Sequence, residues 1–184
     1  MNDQSEQTSV PALDRTIVVV GLMGAGKSSI GRRLATALGV PFVDADAEIE
    51  RAAGLTVAEI FEKYGEEYFR DGERRVIRRL LDGTPKILAT GGGAFTFCNT
   101  ETRQLILDKA ISVWLDSDID TLVERTSRKD NRPLLKQGDP REILAKLREE
   151  RRPAYSQAQI HVLSGNGPHS RVVNKILKGI ALCL

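Results

Sequence analysis

Two rhythms of apolar residues alternate along this chain. Short runs rich in apolar and β-branched residues recur at 16–20, 41–44, 85–90, 111–115 and 159–164, bounded by Gly, Pro or polar residues. Such runs predict buried strands. Between them apolar residues recur every three or four positions, predicting helices over 27–38, 47–53, 57–65, 66–81, 100–109, 118–128, 140–152 and 171–184. The stops and starts have chemical reasons. Gly39 and Gly54 offer C-caps, and Pro41 forbids continuation of the first helix. Thr56 with Glu59 forms a capping-box pattern, and Gly65 ends that helix. Asn99 or Thr100 caps the next, Asp118 starts another, and Pro140 fits a first helical position. Strands alternating with helices predict an α/β fold: a three-layer α/β/α sandwich around a five-stranded, mostly parallel sheet.

At 184 residues the chain is expected to form one domain, residues 15–184, behind a mobile polar leader over 1–14. That leader lacks the charged start and apolar centre of a signal peptide. No run approaches 18 apolar residues, so no membrane span and no membrane partner are expected. A net charge of +2 supplies no global field for nucleic acid. Cys98 and Cys183 lack metal-ligand spacing and are read as free thiols in a reducing compartment. These features predict a cytoplasmic protein.

The chemistry begins where the first strand meets the first helix. Gly21-Leu22-Met23-Gly24-Ala25-Gly26-Lys27-Ser28 is G-x-x-x-x-G-K-[ST] between strand and helix, the context that makes the pattern a P-loop. Gly21, Gly24 and Gly26 let the backbone curl and turn N–H groups toward an anion, and the helix N-terminus adds positive potential. Lys27 is expected on the β- and γ-phosphates and Ser28 on Mg²⁺. The pattern predicts a nucleoside triphosphate site in a P-loop NTPase fold.

Other strand ends add candidates. Asp44 and Asp46 stand where the second strand yields to a helix, a ligand position in open α/β sheets. Asp44 suits Mg²⁺, through water, and Asp46 suits the proton or orientation of an acceptor hydroxyl. Arg70 lies in the first turn of the 66–81 helix, where the macrodipole disfavours a cation by up to about 1 kcal/mol, which hints at a ligand. Arg74, Arg75, Arg78 and Arg79 read as a solvated face. Gly91, Gly92 and Gly93 at the end of the third strand suggest close backbone approach to a ligand. The polar, proline-bounded stretch over 129–140 reads as a lid, with Arg132 closing over the phosphates. A switch GTPase would carry N-K-x-D, yet Asn174-Lys175 is followed by Ile176-Leu177. A larger ATPase keeps some weight, because Asp116 ends an apolar strand. A small-molecule kinase explains more of these residues.

The chain resembles the shikimate kinase family, within the nucleoside monophosphate kinase-like P-loop group. The resemblance rests on GLMGAGKSSIGRRLA, FVDADAEIE, IFEKYGEEYFRDGE, TGGGA, RPLL and the Arg-x-Pro-x-Tyr of Arg151 to Tyr155, in that order. It implies transfer of the γ-phosphate of ATP to the 3-hydroxyl of shikimate, on the route to chorismate and aromatic amino acids, by a monomer. It implies a nucleotide loop of Gly24, Ala25, Gly26, Lys27, Ser28 and Ser29, with Ser28 as metal ligand and Arg132 as the lid arginine. Asp46 matches the acid on the shikimate hydroxyls and is the candidate base. Arg70 and Arg151 match the partners of the shikimate carboxylate, the spacing to Pro153 and Tyr155 favouring Arg151 over Arg152. Gly92, within Gly91 to Gly93, matches the glycine donating its N–H to substrate. Arg171 is a candidate near the adenine, and His161 and His169 are expected to be structural or exposed. The alternatives are another small-metabolite kinase, such as gluconate kinase, and a nucleotide-dependent regulator without transfer.

Overall fold

The structure, a computed structural model, describes residues 12–128 and 133–184. Five strands, β1 (Ile17–Val20), β2 (Phe42–Asp44), β3 (Ile87–Ala89), β4 (Ile111–Asp116) and β5 (Ile160–Leu163), make one sheet in the order β2-β3-β1-β4-β5. All pairings are parallel, with Ile17 opposite both Ile87 and Ile111, Asp44 opposite Ala89, and Asp116 opposite Leu163. Helices α1 (Lys27–Leu38), α2 (Ala45–Ala53), α3 (Val57–Leu81), α4 (Thr100–Lys109), α5 (Ile119–Ser127), α6 (Pro140–Tyr155) and α7 (His169–Cys183) connect and cover them. The result is the α/β/α sandwich that the two rhythms predict.

β1 lies at the centre and is wholly buried, as is every residue of β4. Both faces meet helices, so IVVV carries no polar alternation. Each fully buried Val or Ile contributes roughly 1.5–3 kcal/mol, so this register is strongly specified. Since every strand runs the same way, all exits face one edge of the sheet. The Thr90 N–H donates to the Val19 carbonyl at 3.2 Å, joining the exits of β3 and β1.

Several boundaries differ from the periodicity, each for a local reason. α2 starts at Ala45 rather than 47, because the Asp44 side chain accepts from the N–H groups of Asp46 and Ala47. The helices expected over 57–65 and 66–81 are continuous as α3 but broken at Gly65, whose φ of 82° and ψ of 177° are not helical. Asn99 holds the cap position of α4 after a 3-10 turn at Phe97–Asn99, yet its side chain makes no cap bond. α6 continues to Tyr155 with Pro153 in its last turn, although Pro153 has no N–H to donate to the carbonyl four residues before it. Part of the expected lid winds into a 3-10 helix, Pro133–Gln137. α7 begins at His169, not 171. The Thr56–Glu59 capping box, the Asp118 cap and Pro140 at the start of α6 are as predicted. Cys98 and Cys183 are free thiols.

Gly21 shows how tightly β1 and β4 constrain the loop. Its φ is +145°, and a Cβ there would collide with the Leu115 carbonyl oxygen in β4. Backbone cannot yield as a flexible side chain would. Gly21→Ala is therefore expected to lower folding stability by about 2–4 kcal/mol, measured by urea denaturation. A loss within error of zero would show that β4 gives way.

Candidate active site

The loop after β1 is folded around its own lysine. The Lys27 ammonium donates to the carbonyls of Gly21 (2.8 Å) and Leu22 (2.9 Å). Ser28 and Ser29 occupy the first turn of α1, so the loop's N–H groups and the helix dipole act at one place. The Ser28 hydroxyl donates to Asp44 Oδ2 at 3.1 Å, while Asp44 Oδ1 caps α2. A hydroxyl and a carboxylate are hard oxygen donors of the kind Mg²⁺ takes. Among the described residues no group of three or more His, Cys, Asp or Glu side chains could hold a metal ion alone. The Ser28–Asp44 pair could hold a magnesium ion only together with ligands from outside the described side chains.

Arg125 holds this loop from the far side. Its guanidinium donates to the carbonyls of Gly24 (3.3 Å), Ala25 (3.2 Å) and Gly165 (3.0 Å). It thus joins the phosphate loop to the segment after β5, a hundred residues apart in places. Sequence reasoning missed Arg125, and periodicity holds no signal for a contact so distant.

Across the cleft, two acids and one arginine surround the glycines. Asp46 stands in the first turn of α2, and Glu73 is completely buried in α3. Arg70 Nη1 donates to Glu73 Oε1 at 2.8 Å, and Asn99 Nδ2 donates to the same oxygen at 2.9 Å. This bond is what takes Asn99 away from capping α4. Glu66 also approaches Arg70, at 3.4 Å, so the cation that the helix dipole disfavours is balanced by acids one turn away on either side. The other oxygen of Glu73 and Oδ1 of Asp46 are buried without a hydrogen-bond partner. Both point at Gly91, where a Cβ would stand 3.0 Å from Asp46 Oδ1 and 3.5 Å from Glu73 Oε2. At Gly93 a Cβ would meet the Arg70 guanidinium carbon at 2.7 Å. A Cβ at either position would displace a side chain of the site, the Asp46 carboxylate at Gly91 and the flexible end of Arg70 at Gly93.

Burial pushes both carboxyl groups above the usual carboxylate range. For Asp46 the neighbouring Asp44 charge adds to burial, and Lys27 and Arg70 oppose it. For Glu73 burial outweighs Arg70, and Asp46 adds a smaller repulsion.

Gly92 closes the ring. Its carbonyl accepts from Arg151 Nη1 at 2.9 Å and from the Tyr155 hydroxyl at 2.6 Å, both in the last turns of α6. Arg152, by contrast, is exposed. Burial raises the Tyr155 phenol, which keeps it a donor. Asp116, the alternative ATPase acid, is engaged instead by Arg148 at 3.2 Å and His161 at 3.4 Å. His161, read as structural or exposed, also stacks on Trp114 with centroids 4.0 Å apart.

Of the predicted residues, the structure gathers Gly24 to Ser29, Asp44, Asp46, Arg70, Gly91, Gly92, Gly93 and Arg151 at the carboxyl edge of the sheet. Arg132 lies outside the described residues, as do residues 1–11 of the leader. Glu73, Asn99 and Tyr155 join the set. Glu73 had a signal, an acid three residues after Arg70 on one helical face.

Comparison with known proteins gives the family. The family model described as shikimate kinase matches residues 23–181. The chain belongs to the shikimate kinase family. A shikimate kinase of Novosphingobium aromaticivorans is 61% identical over 173 residues, covering 91% of this chain and 88% of that one. One from Caulobacter vibrioides is 58% identical over 170 residues, covering 92% and 84%. Among solved structures, shikimate kinase from Acinetobacter baumannii in complex with shikimate is 39% identical, with a TM-score of 0.85 over 92% of this chain and 94% of that one. As a member of this family the protein is an ATP-dependent kinase.

The raised carboxyls make a pH signature of the empty kinase. An acid held above its ordinary value binds more protons folded than unfolded, so stability falls as pH rises from about 4 through the raised value. Glu73→Gln should flatten that fall, read as melting temperature against pH without ligand. An unchanged slope would mean that Glu73 does not titrate in the folded chain.

Proposed function

We propose that the protein transfers the γ-phosphoryl group of ATP to the 3-hydroxyl of shikimate, giving shikimate 3-phosphate and ADP on the route to chorismate and aromatic amino acids. The observation that carries this reading is the partnerless Asp46 oxygen beside Gly91, with Arg70 and Arg151 on either side of the same glycine loop. Two guanidiniums suit a planar carboxylate, since each can bind it through paired N–H groups. An acid above them meets a ring hydroxyl. The glycines allow the ring to approach the backbone, where Gly92 offers its N–H.

On the donor side, Gly24, Ala25, Gly26, Lys27, Ser28 and Ser29 hold the phosphates, Lys27 following the charge that develops on the transferred group. Ser28 and Asp44 would hold Mg²⁺, which when bound neutralises phosphate charge. Asp46 accepts the proton of the attacking hydroxyl as its oxygen bonds to the γ-phosphorus and the bond to the bridging oxygen of ADP breaks. Its raised affinity for protons suits it to that task, and Lys27 and Arg70 nearby oppose the rise. Arg132 completes the phosphate site when the lid closes, and closure excludes the water that would otherwise hydrolyse ATP. The protein acts as a cytoplasmic monomer, without nucleic-acid or membrane partners. No helix among the described residues is long and apolar enough to cross a membrane.

A coupled assay of ADP release with shikimate, gluconate and nucleoside monophosphates should show turnover with shikimate. No turnover at millimolar shikimate would overturn the assignment, and preference for gluconate would move it to the nearest alternative. Asp46→Asn is expected to lower kcat by about 10²–10⁴ with ATP affinity kept, the range of a lost general base. Arg70→Ala should raise KM for shikimate far more than KM for ATP. Equal rises would make Arg70 structural.

A further inference from the structure

Arg151 faces a difficulty in the reading above. Its Nη1 is bound to the Gly92 carbonyl, and a carboxylate taking its paired N–H groups would compete for that donor. The helix carrying it is then held on the Gly92 side by the Tyr155 hydroxyl, and before Arg151 by whatever else grips α6. α6 follows the 3-10 turn Pro133–Gln137, and near its start Arg141 pairs with Asp120 only at the exposed surface. Such pairs contribute little. Leu144 is buried, but apolar contact alone does not fix a helix along its axis.

One turn before Arg151, α6 has a polar attachment of a different kind. Arg148 Nη2 donates to Asp116 Oδ2 at 3.2 Å, and its Nε approaches Oδ1 at 3.4 Å. This two-pronged grip has a fixed direction, and only 6% of the Asp116 side chain and 22% of Arg148's are exposed. Asp116 is itself tied to its surroundings by several bonds. It ends β4, its carbonyl accepts the Ser164 N–H at 2.7 Å, and its Oδ1 accepts the Ser117 N–H at 2.9 Å. His161, stacked on Trp114, approaches the same carboxylate from β5. Arg148 and Arg151, three residues apart, are neighbours on the helix surface, separated by about 4.5 Å along its axis.

We infer that Asp116 moors α6 through Arg148, making Arg148 a positioning residue that holds Arg151 in place when acceptor takes its guanidinium from Gly92. The inference rests on the acceptor site proposed above. It concerns the acceptor alone, because neither Arg148 nor Asp116 touches the phosphate loop's hydrogen bonds.

The test is steady-state kinetics of the full chain with ATP and shikimate. Arg148→Met should raise KM for shikimate about ten-fold, within the range of measured couplings between contacting groups, while KM for ATP and kcat change less than about two-fold. Arg148→Lys should recover part of the loss. Asp116→Asn should match Arg148→Met, and the double variant Asp116→Asn/Arg148→Met should be no worse than either alone. The double variant leaves no buried charge unpaired, so it carries the test if Arg148→Met fails to fold. Unchanged emission from Trp114, the single tryptophan, would verify that the end of β4 is intact. Unchanged KM for shikimate with a lowered melting temperature would overturn the inference and leave a structural ion pair. Arg151→Lys, measured alongside, separates the two readings. If it raises KM for shikimate and Arg148→Met does not, the mooring falls and the acceptor site stands. If Arg151→Lys has no effect, both fall.

Discussion

A parallel sheet can put its ligands in only one place. Because β1 pairs with β3 and β4 in the same direction, the phosphate loop, the glycine triplet and Asp116 must all emerge at one edge. The bond from Thr90 to the Val19 carbonyl sets donor loop and acceptor loop side by side with no adjustable segment between them. The separation of the two loops is thus a property of the sheet, fixed by backbone bonds and buried Val and Ile.

Into that rigid edge the chain places charges that would be unfavourable elsewhere. Glu73 is wholly buried and Asp46 has an oxygen with no partner, a combination that costs free energy unless something compensates. Arg70 and Asn99 compensate part of it at Glu73. The remainder is a local loss of stability kept at the site, as expected where preorganised groups await a polar substrate.

Much of this was legible in the chain. β1 and β4 read clearly because buried parallel strands show unbroken apolar runs, and the P-loop because its spacing is a geometric necessity. Asp44, Asp46 and the glycines stood out by lying at strand ends. Arg70 was flagged by a dipole argument that the structure weakens, since Glu66 and Glu73 balance it, yet its place against Gly93 keeps it in the site. What periodicity could not supply were partnerships between distant segments. Arg125 reaches across a hundred residues, Asn99 abandons a cap for a buried acid, and His161 finds Trp114 through β-sheet register. The break at Gly65 was legible, since its backbone leaves the helical region there, whereas the end near Pro153 was not: tertiary packing carries α6 on to Tyr155.

The lysine of the phosphate loop has a consequence for how a nucleotide is received. Its ammonium already donates to two carbonyls of the loop that holds it. A phosphate oxygen arriving there does not gain a naked cation. It joins or replaces existing hydrogen bonds, and only the difference between the two sets appears as affinity. The loop in exchange keeps its curled shape while empty, so little ordering remains to be done at binding. Two bonds to its own loop hold the ammonium in one place, so in the proposed transfer it would meet the developing charge on the transferred group without first having to be oriented.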